Sequence, residues 1–147
     1  MKIFVYGTLR PGYPNAGLYR DREHRAYSAE MPGASLLCTP GMGFPFCVDN
    51  ADIRRLTPPK MPVKGELLVF RNEDEADILE RLDRLEGHPN FYTRTERTLF
   101  YYTGDDDKIQ IEDRAWVYMI QGRSLALTEH CGLVRDNDWA NVRRKVA

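Results

Sequence analysis

The chain has 147 residues, 42% hydrophobic and 11% aromatic, with 21 basic and 22 acidic side chains for a formal net charge of -1. That length supports one ordinary hydrophobic core, so a single domain over 1–147 is expected, and the balanced charge lacks the one-signed excess of proteins that hold nucleic-acid backbones or anionic lipid. Three scattered cysteines, Cys38, Cys47 and Cys131, form neither a disulfide framework nor a thiolate metal set, and no stretch is apolar enough for a signal-peptide core or a membrane span. A cytoplasmic protein with a small neutral or zwitterionic partner is expected, with no nucleic acid and no membrane.

In chain order, Lys2 to Tyr6 is rich in β-formers and reads as a buried strand, and Gly7 to Pro14 supplies turn chemistry after it. Between Arg25 and Asn50 short apolar runs, Ser35 to Cys38 and Phe44 to Val48, alternate with prolines and glycines, which predicts short strands joined by irregular turns. Pro58, Pro59 and Pro62 lead in extended form to a strand over Val63 to Phe70. The clearest helix is predicted from about Asn72 to Glu86, where Ile78, Leu79, Leu82 and Leu85 recur at helical spacing before the stop signals Gly87 and Pro89. Phe91 to Tyr102 and Ile111 to Ile120 bracket an Asp-rich turn, the pattern of an antiparallel hairpin, and Asp136 to Lys145 reads as a short capped helix. Five or six short strands around one long helix, without βαβα alternation, predict an α+β domain with a barrel-like sheet.

Two features could carry chemistry. Glu86 lies seven residues after Leu79 and four after Leu82, which puts its carboxylate on the edge of the helix's apolar stripe. A carboxylate there must be solvated by a cavity, paired, or raised in pKa, whereas a frayed helix end would leave it snorkelling or salt-bridged. Asp83 flanks the same stripe; it could tune Glu86 by like-charge repulsion, but it is expected to pair with Arg81 or Arg84 at the surface. The second feature is the loop Tyr6-Gly7-Thr8-Leu9, which leaves a strand through a small residue and whose successive N–H groups could form an anion nest. Strand-to-loop turns with glycine are common, and this one lacks the lysine and hydroxyl residue of a phosphate loop. His24, His88 and His130 have no metal-ligand spacing and read as structural or surface residues.

Taken together, Tyr6-Gly7-Thr8-Leu9 with Gly12, Pro14 and Asn15, Leu82-Asp83-Arg84-Leu85-Glu86-Gly87-His88-Pro89, and Tyr92-Thr93-Arg94 resemble the γ-glutamyl cyclotransferase-like family, in its γ-glutamylamine cyclotransferase and avirulence-induced-like branch. Gly65-Glu66-Leu67 and Ala115-Trp116-Val117-Tyr118 are similar to two further strand motifs of that family. The likeness departs at Leu68, where an aromatic is common, and over Cys38 to Met61. It implies a small barrel-like fold and release of 5-oxoproline from a γ-glutamyl compound. It further implies Glu86 as the acid/base residue, and a loop of Tyr6, Gly7, Thr8 and Leu9 that binds the substrate's α-carboxylate. Tyr92 joins them as an expected substrate-binding residue. That chemistry needs no metal, nucleotide or redox cofactor. A non-catalytic module holding a carboxylate metabolite or peptide end on the same fold is the competing reading, and a partner-binding surface protein is a third.

Overall fold

A computed structural model describes residues 1–143. Strand β1 (Lys2–Val5) opens the chain, followed by β2 (His24–Met31), β3 (Ala34–Cys38), β4 (Phe46–Asp49) and β5 (Val63–Phe70). Helix α1 (Glu75–Glu86) leads into the long hairpin β6 (Tyr92–Thr103) and β7 (Ile109–Ile120), and a two-residue strand β8 (Gly132–Leu133) follows. Five strands close into a barrel in the order β1-β5-β2-β6-β7, and β4-β3-β8 form a separate three-stranded sheet. The barrel closes where β1 meets β7 in parallel, Ile3 opposite Trp116. The protein is therefore a mixed α+β fold built on a closed five-stranded barrel with one main helix.

Strand β1 shows why the barrel holds. Its side chains alternate between two apolar clusters, Ile3 and Val5 in one and Phe4 in the other, so the strand is buried on both faces as its unbroken apolar run demands. The first cluster also takes Ile78 and Leu82 of α1, both fully buried, so the helix lies against the face that Ile3 and Val5 present. The second takes Leu67, Leu99, Val117 and Trp139.

Two sequence expectations change. The predicted helix start at Asn72 is a separate 3-10 turn, Asn72–Asp74, and α1 begins at Glu75. Strand β2 falls largely in the stretch where the sequence predicts short strands; it carries no clear apolar alternation, and eight consecutive backbone pairings with β5 set its place in the barrel between β5 and β6. The predicted C-terminal helix does not form over its described residues. Arg135–Asn137 and Trp139–Asn141 are short 3-10 turns, and Asp136 and Asn137 take positive φ values of 57° and 52°, which a helix cannot accommodate. The remainder of that prediction, 144–145, lies outside the described residues.

Candidate active site

Glu86 is the last residue of α1 because Gly87 ends the helix. Gly87 has φ 64°, a left-handed cap that suits a residue without Cβ, and its N–H and that of His88 both donate to Asp83 O. The helix stripe is buried at Ile78 and Leu82 but opens at its end, where Leu85 is 40% exposed and Glu86 half-buried. The reason is a cavity of about 610 Å³ that meets the helix there.

The six residues expected to act on the substrate line this cavity: Tyr6, Gly7, Thr8 and Leu9 on one side, Glu86 and Tyr92 on another. Burial pushes the Glu86 carboxyl up to about 7. Among the described residues no cation pairs with it, so nothing opposes that desolvation. Burial and then the charge of Glu86 also raise the Tyr92 phenol, and Tyr6 is held well above its ordinary range, chiefly by burial.

The loop is shaped by its own carbonyls. Arg10 N–H donates to Gly7 O at 3.0 Å, Asn15 N–H donates to Thr8 O at 2.9 Å, and Asn15 Nδ2 donates to Thr8 Oγ1 at 2.9 Å. With those acceptors used, the N–H groups of Gly7, Thr8 and Leu9 donate to no backbone carbonyl among the described residues. Gly7 must be glycine for a steric reason, since a Cβ there would stand 2.8 Å from Pro45 Cδ. Behind the loop, Arg10 is buried between Glu66, at 2.7 Å, and Asp138, at 2.9 Å, which clamps the turn to β5 and to the C-terminal segment.

The two phenols are spoken for. Tyr92 Oη donates to Pro45 O at 2.8 Å and Tyr6 Oη to Tyr118 O at 2.6 Å. Tyr118 also lines the cavity, and sequence reasoning did not single it out as a site residue even though it stands in a recognisable strand motif. Asp83 corrects another expectation. Arg81 pairs instead with Asp21 and Asp77, and Arg84 with Glu80. Asp83 turns the other way, taking Arg94 Nε at 2.9 Å and Tyr118 Oη at 2.7 Å. Burial works against its ionisation, and those two donors overcome it and hold the carboxyl below the ordinary carboxylate range. His88 has a structural part, since its Nδ1 accepts the Arg94 N–H at 3.0 Å.

A second cavity of about 610 Å³, lined among others by Asp52, Arg55, Arg123 and Glu129, contains none of these residues. The first joins a raised carboxyl to a row of amides without hydrogen-bond acceptors among the described residues.

Comparison with known proteins adds a separate observation. The family model for gamma-glutamyl cyclotransferase, AIG2-like, matches residues 3–141. The chain belongs to this family. It is 27% identical over 142 residues to a Methanocaldococcus jannaschii protein named provisionally as a gamma-glutamylcyclotransferase, covering 96% of this chain and 97% of the relative. Among solved structures it shares its fold with an aig2-like protein from Mus musculus, with TM-score 0.57 and 22% identity over 84% of this chain and 77% of that one. It shares it too with a yeast gamma-glutamyl cyclotransferase specific to glutathione, with TM-score 0.56 and 16% identity over 81% and 68% of the two chains.

Proposed function

We propose that the protein is a cyclotransferase that releases 5-oxoproline and a free amine from a γ-glutamyl compound, with Glu86 as the proton-transfer group. The observation that carries this reading is the pairing, in one cavity, of a carboxyl pushed up to about 7 with a loop of free backbone amides. The substrate brings its own nucleophile, an α-amine whose reference pKa of about 8 leaves it mostly protonated at neutral pH. Glu86, ionised near its raised pKa, is matched to take that proton.

The steps balance without water or a cofactor. The α-ammonium gives one proton to Glu86, its nitrogen attacks the γ-carbonyl carbon as the neutral amine, and the ring C–N bond forms. On collapse the bond to the departing nitrogen breaks; the carboxyl returns its proton to that nitrogen and relays the second proton of the ring nitrogen to it, so the amine leaves in its ammonium form. Gly7, Thr8 and Leu9 hold the α-carboxylate through their N–H groups, which curls the side chain toward attack geometry. Tyr6 and Tyr92 form the walls against the substrate. Their protons are committed to main-chain carbonyls, so amides rather than phenols supply the free donors for charge developing on the carbonyl oxygen.

The test is Glu86→Gln, which conserves size and hydrogen bonding. The variant is expected to fold and to bind substrate nearly as the parent does, while kcat for 5-oxoproline release falls about 10²- to 10⁴-fold. Glu75→Gln, at the opposite end of α1, is the matched control and should leave kcat unchanged. A folded Glu86→Gln protein with near-parental kcat would falsify the assignment.

A further inference from the structure

The cavity is larger than a γ-glutamyl group needs, and its remaining wall has a distinct chemistry. With the loop amides and Glu86 assigned to the reacting end, what is left is Phe44, Pro45, Leu85 and Phe91, with Arg84 at the margin. The aromatic rings of the wall are tied together in edge-to-face and tilted contacts through Phe46, which is buried behind them. Phe44 meets Phe46 edge to face at 5.8 Å between centroids, Phe46 meets Phe91 at 6.2 Å, and Phe91 meets Tyr92 at 5.0 Å.

That surface is fixed by the same turn that ends the helix. Phe91 N–H donates to Gly87 O at 2.9 Å, and a Cβ on Gly87 would stand 3.0 Å from Phe91 Cβ, so the ring sits directly against the stop that places Glu86. Two members of the wall are unusually open. Phe44 and Leu85, each 40% exposed, are among the few large apolar side chains of the described residues that face solvent, and both line this cavity. Covering such surface is worth about 25 cal/mol per Å² of apolar area, and a ring that stacks on the aromatic face adds to it.

The charge of this wall is as informative as its apolarity. An amino-acid leaving group would bring a carboxylate and need a cation held for it. Among the described residues the one cation lining the cavity is Arg84, whose side chain is 80% exposed and already paired with Glu80 at 3.2 Å. Burying an unpaired carboxylate against the aromatic wall would be costly.

We infer that the departing half of the substrate is an apolar, preferably aromatic, amine without a carboxylate of its own, seated on the wall of Phe44, Leu85 and Phe91. This rests on the cyclotransferase reading and narrows its substrate class. The selecting residue most open to test is Phe44, which is 40% exposed and lines the cavity.

The experiment compares 5-oxoproline release from γ-glutamyl-phenethylamide, γ-glutamyl-phenylalanine and γ-glutamyl-ethylamide. The first two differ by one carboxylate and the first and third by one ring. The phenethylamide is expected to have kcat/KM at least about 10-fold above either of the others, as one well-placed apolar group allows. Phe44→Ser, at an exposed position where folding is not at stake, should raise KM for the phenethylamide several-fold and barely change KM for the ethylamide. Turnover that favours γ-glutamyl-phenylalanine, or that ignores the ring, overturns the inference and leaves the cyclotransferase reading standing. If none of the three amides releases 5-oxoproline, that reading fails and the inference falls with it.

Discussion

The hydroxyl of Tyr118 donates to Asp83 Oδ1 at 2.7 Å, which joins the barrel strand β7 to the helix that ends in Glu86. Because the Tyr118 carbonyl accepts the Tyr6 hydroxyl, one residue touches both the loop side and the helix side of the cavity. Tyr118→Phe removes the hydroxyl link and keeps the ring and the carbonyl. The expected result is a kcat lower by about 10-fold with little change in KM, since small misplacements of a reacting group carry penalties of that order. Equal losses in kcat and in thermal stability, restored together by lower temperature, would instead mark a purely structural bond.

Asp83→Asn tests the other end of that link. The Asp83 and Arg94 side chains are 24% and 18% exposed, between the limits of surface and buried pairs, and the substitution removes the counter-charge that Arg94 faces, leaving an amide oxygen and the face of Trp116, 4.5 Å from its guanidinium carbon. A loss of about 1–3 kcal/mol is expected by denaturant unfolding at neutral pH. Since the folded carboxyl titrates below its ordinary range, its contribution is present above the unfolded pKa. The gap between parent and variant should close as the pH falls through the lower folded value, and a gap that persists at the acid end would contradict the pairing.

Glu86 gives stability the opposite pH dependence. Its pKa rises from an ordinary 4.5 to about 7 on folding, so the folded state holds the proton more tightly across that window and stability falls as pH rises through it. The uncharged amide introduced by Glu86→Gln carries no such penalty, so the variant should be more stable than the parent above pH 7 by roughly 1–3 kcal/mol, the upper figure being the unscreened limit. For a chain of this size that is roughly 3–8 °C in Tm. Near pH 4 the two melting curves should coincide. A kcat/KM profile rising to a plateau above about pH 7 is the kinetic face of the same ionisation.

Gly7→Ala probes the loop. The new methyl must displace either the loop or the Pro45 ring, and Pro45 is tied to Tyr92 through its carbonyl. KM is expected to rise by at least about 10-fold, more than kcat falls, because the amides proposed to hold the α-carboxylate are what moves. Titration of the parent and the variant with 5-oxoproline, followed by backbone amide shifts of Gly7 to Leu9, should show the same loss in binding.

Much of this arrangement was legible in the chain because it rests on short-range signals. The strand over Val63 to Phe70 appears with those bounds, and the Leu82 to Pro89 run announced both the helix end and the carboxylate on its last residue. What escaped depends on distant partners. The sequence of β2, His-Arg-Ala-Tyr-Ser-Ala-Glu-Met, has exposed residues scattered along it, and only pairing with β5 and β6 makes it a barrel strand. Asp83 looked like a surface charge because Arg81 and Arg84 are its neighbours along the helix, whereas its partners come from the hairpin eleven and thirty-five residues onward. Near the C-terminus the polar run around Asp136 resembled a helix start. Asn137 is instead fully buried, its side chain bonded to Leu36 N, Ala34 O and Met61 O, contacts that no local pattern encodes.

The clamp of Arg10 by Glu66 and Asp138 has a consequence for biosynthesis. The loop that follows β1 leaves a ribosome more than a hundred residues ahead of its anchor at Asp138. Until then the guanidinium lacks half of its counter-charge and β1 lacks its neighbour β7. A nascent chain should thus be inert toward substrate through most of its translation, and competence should arrive late and in one step.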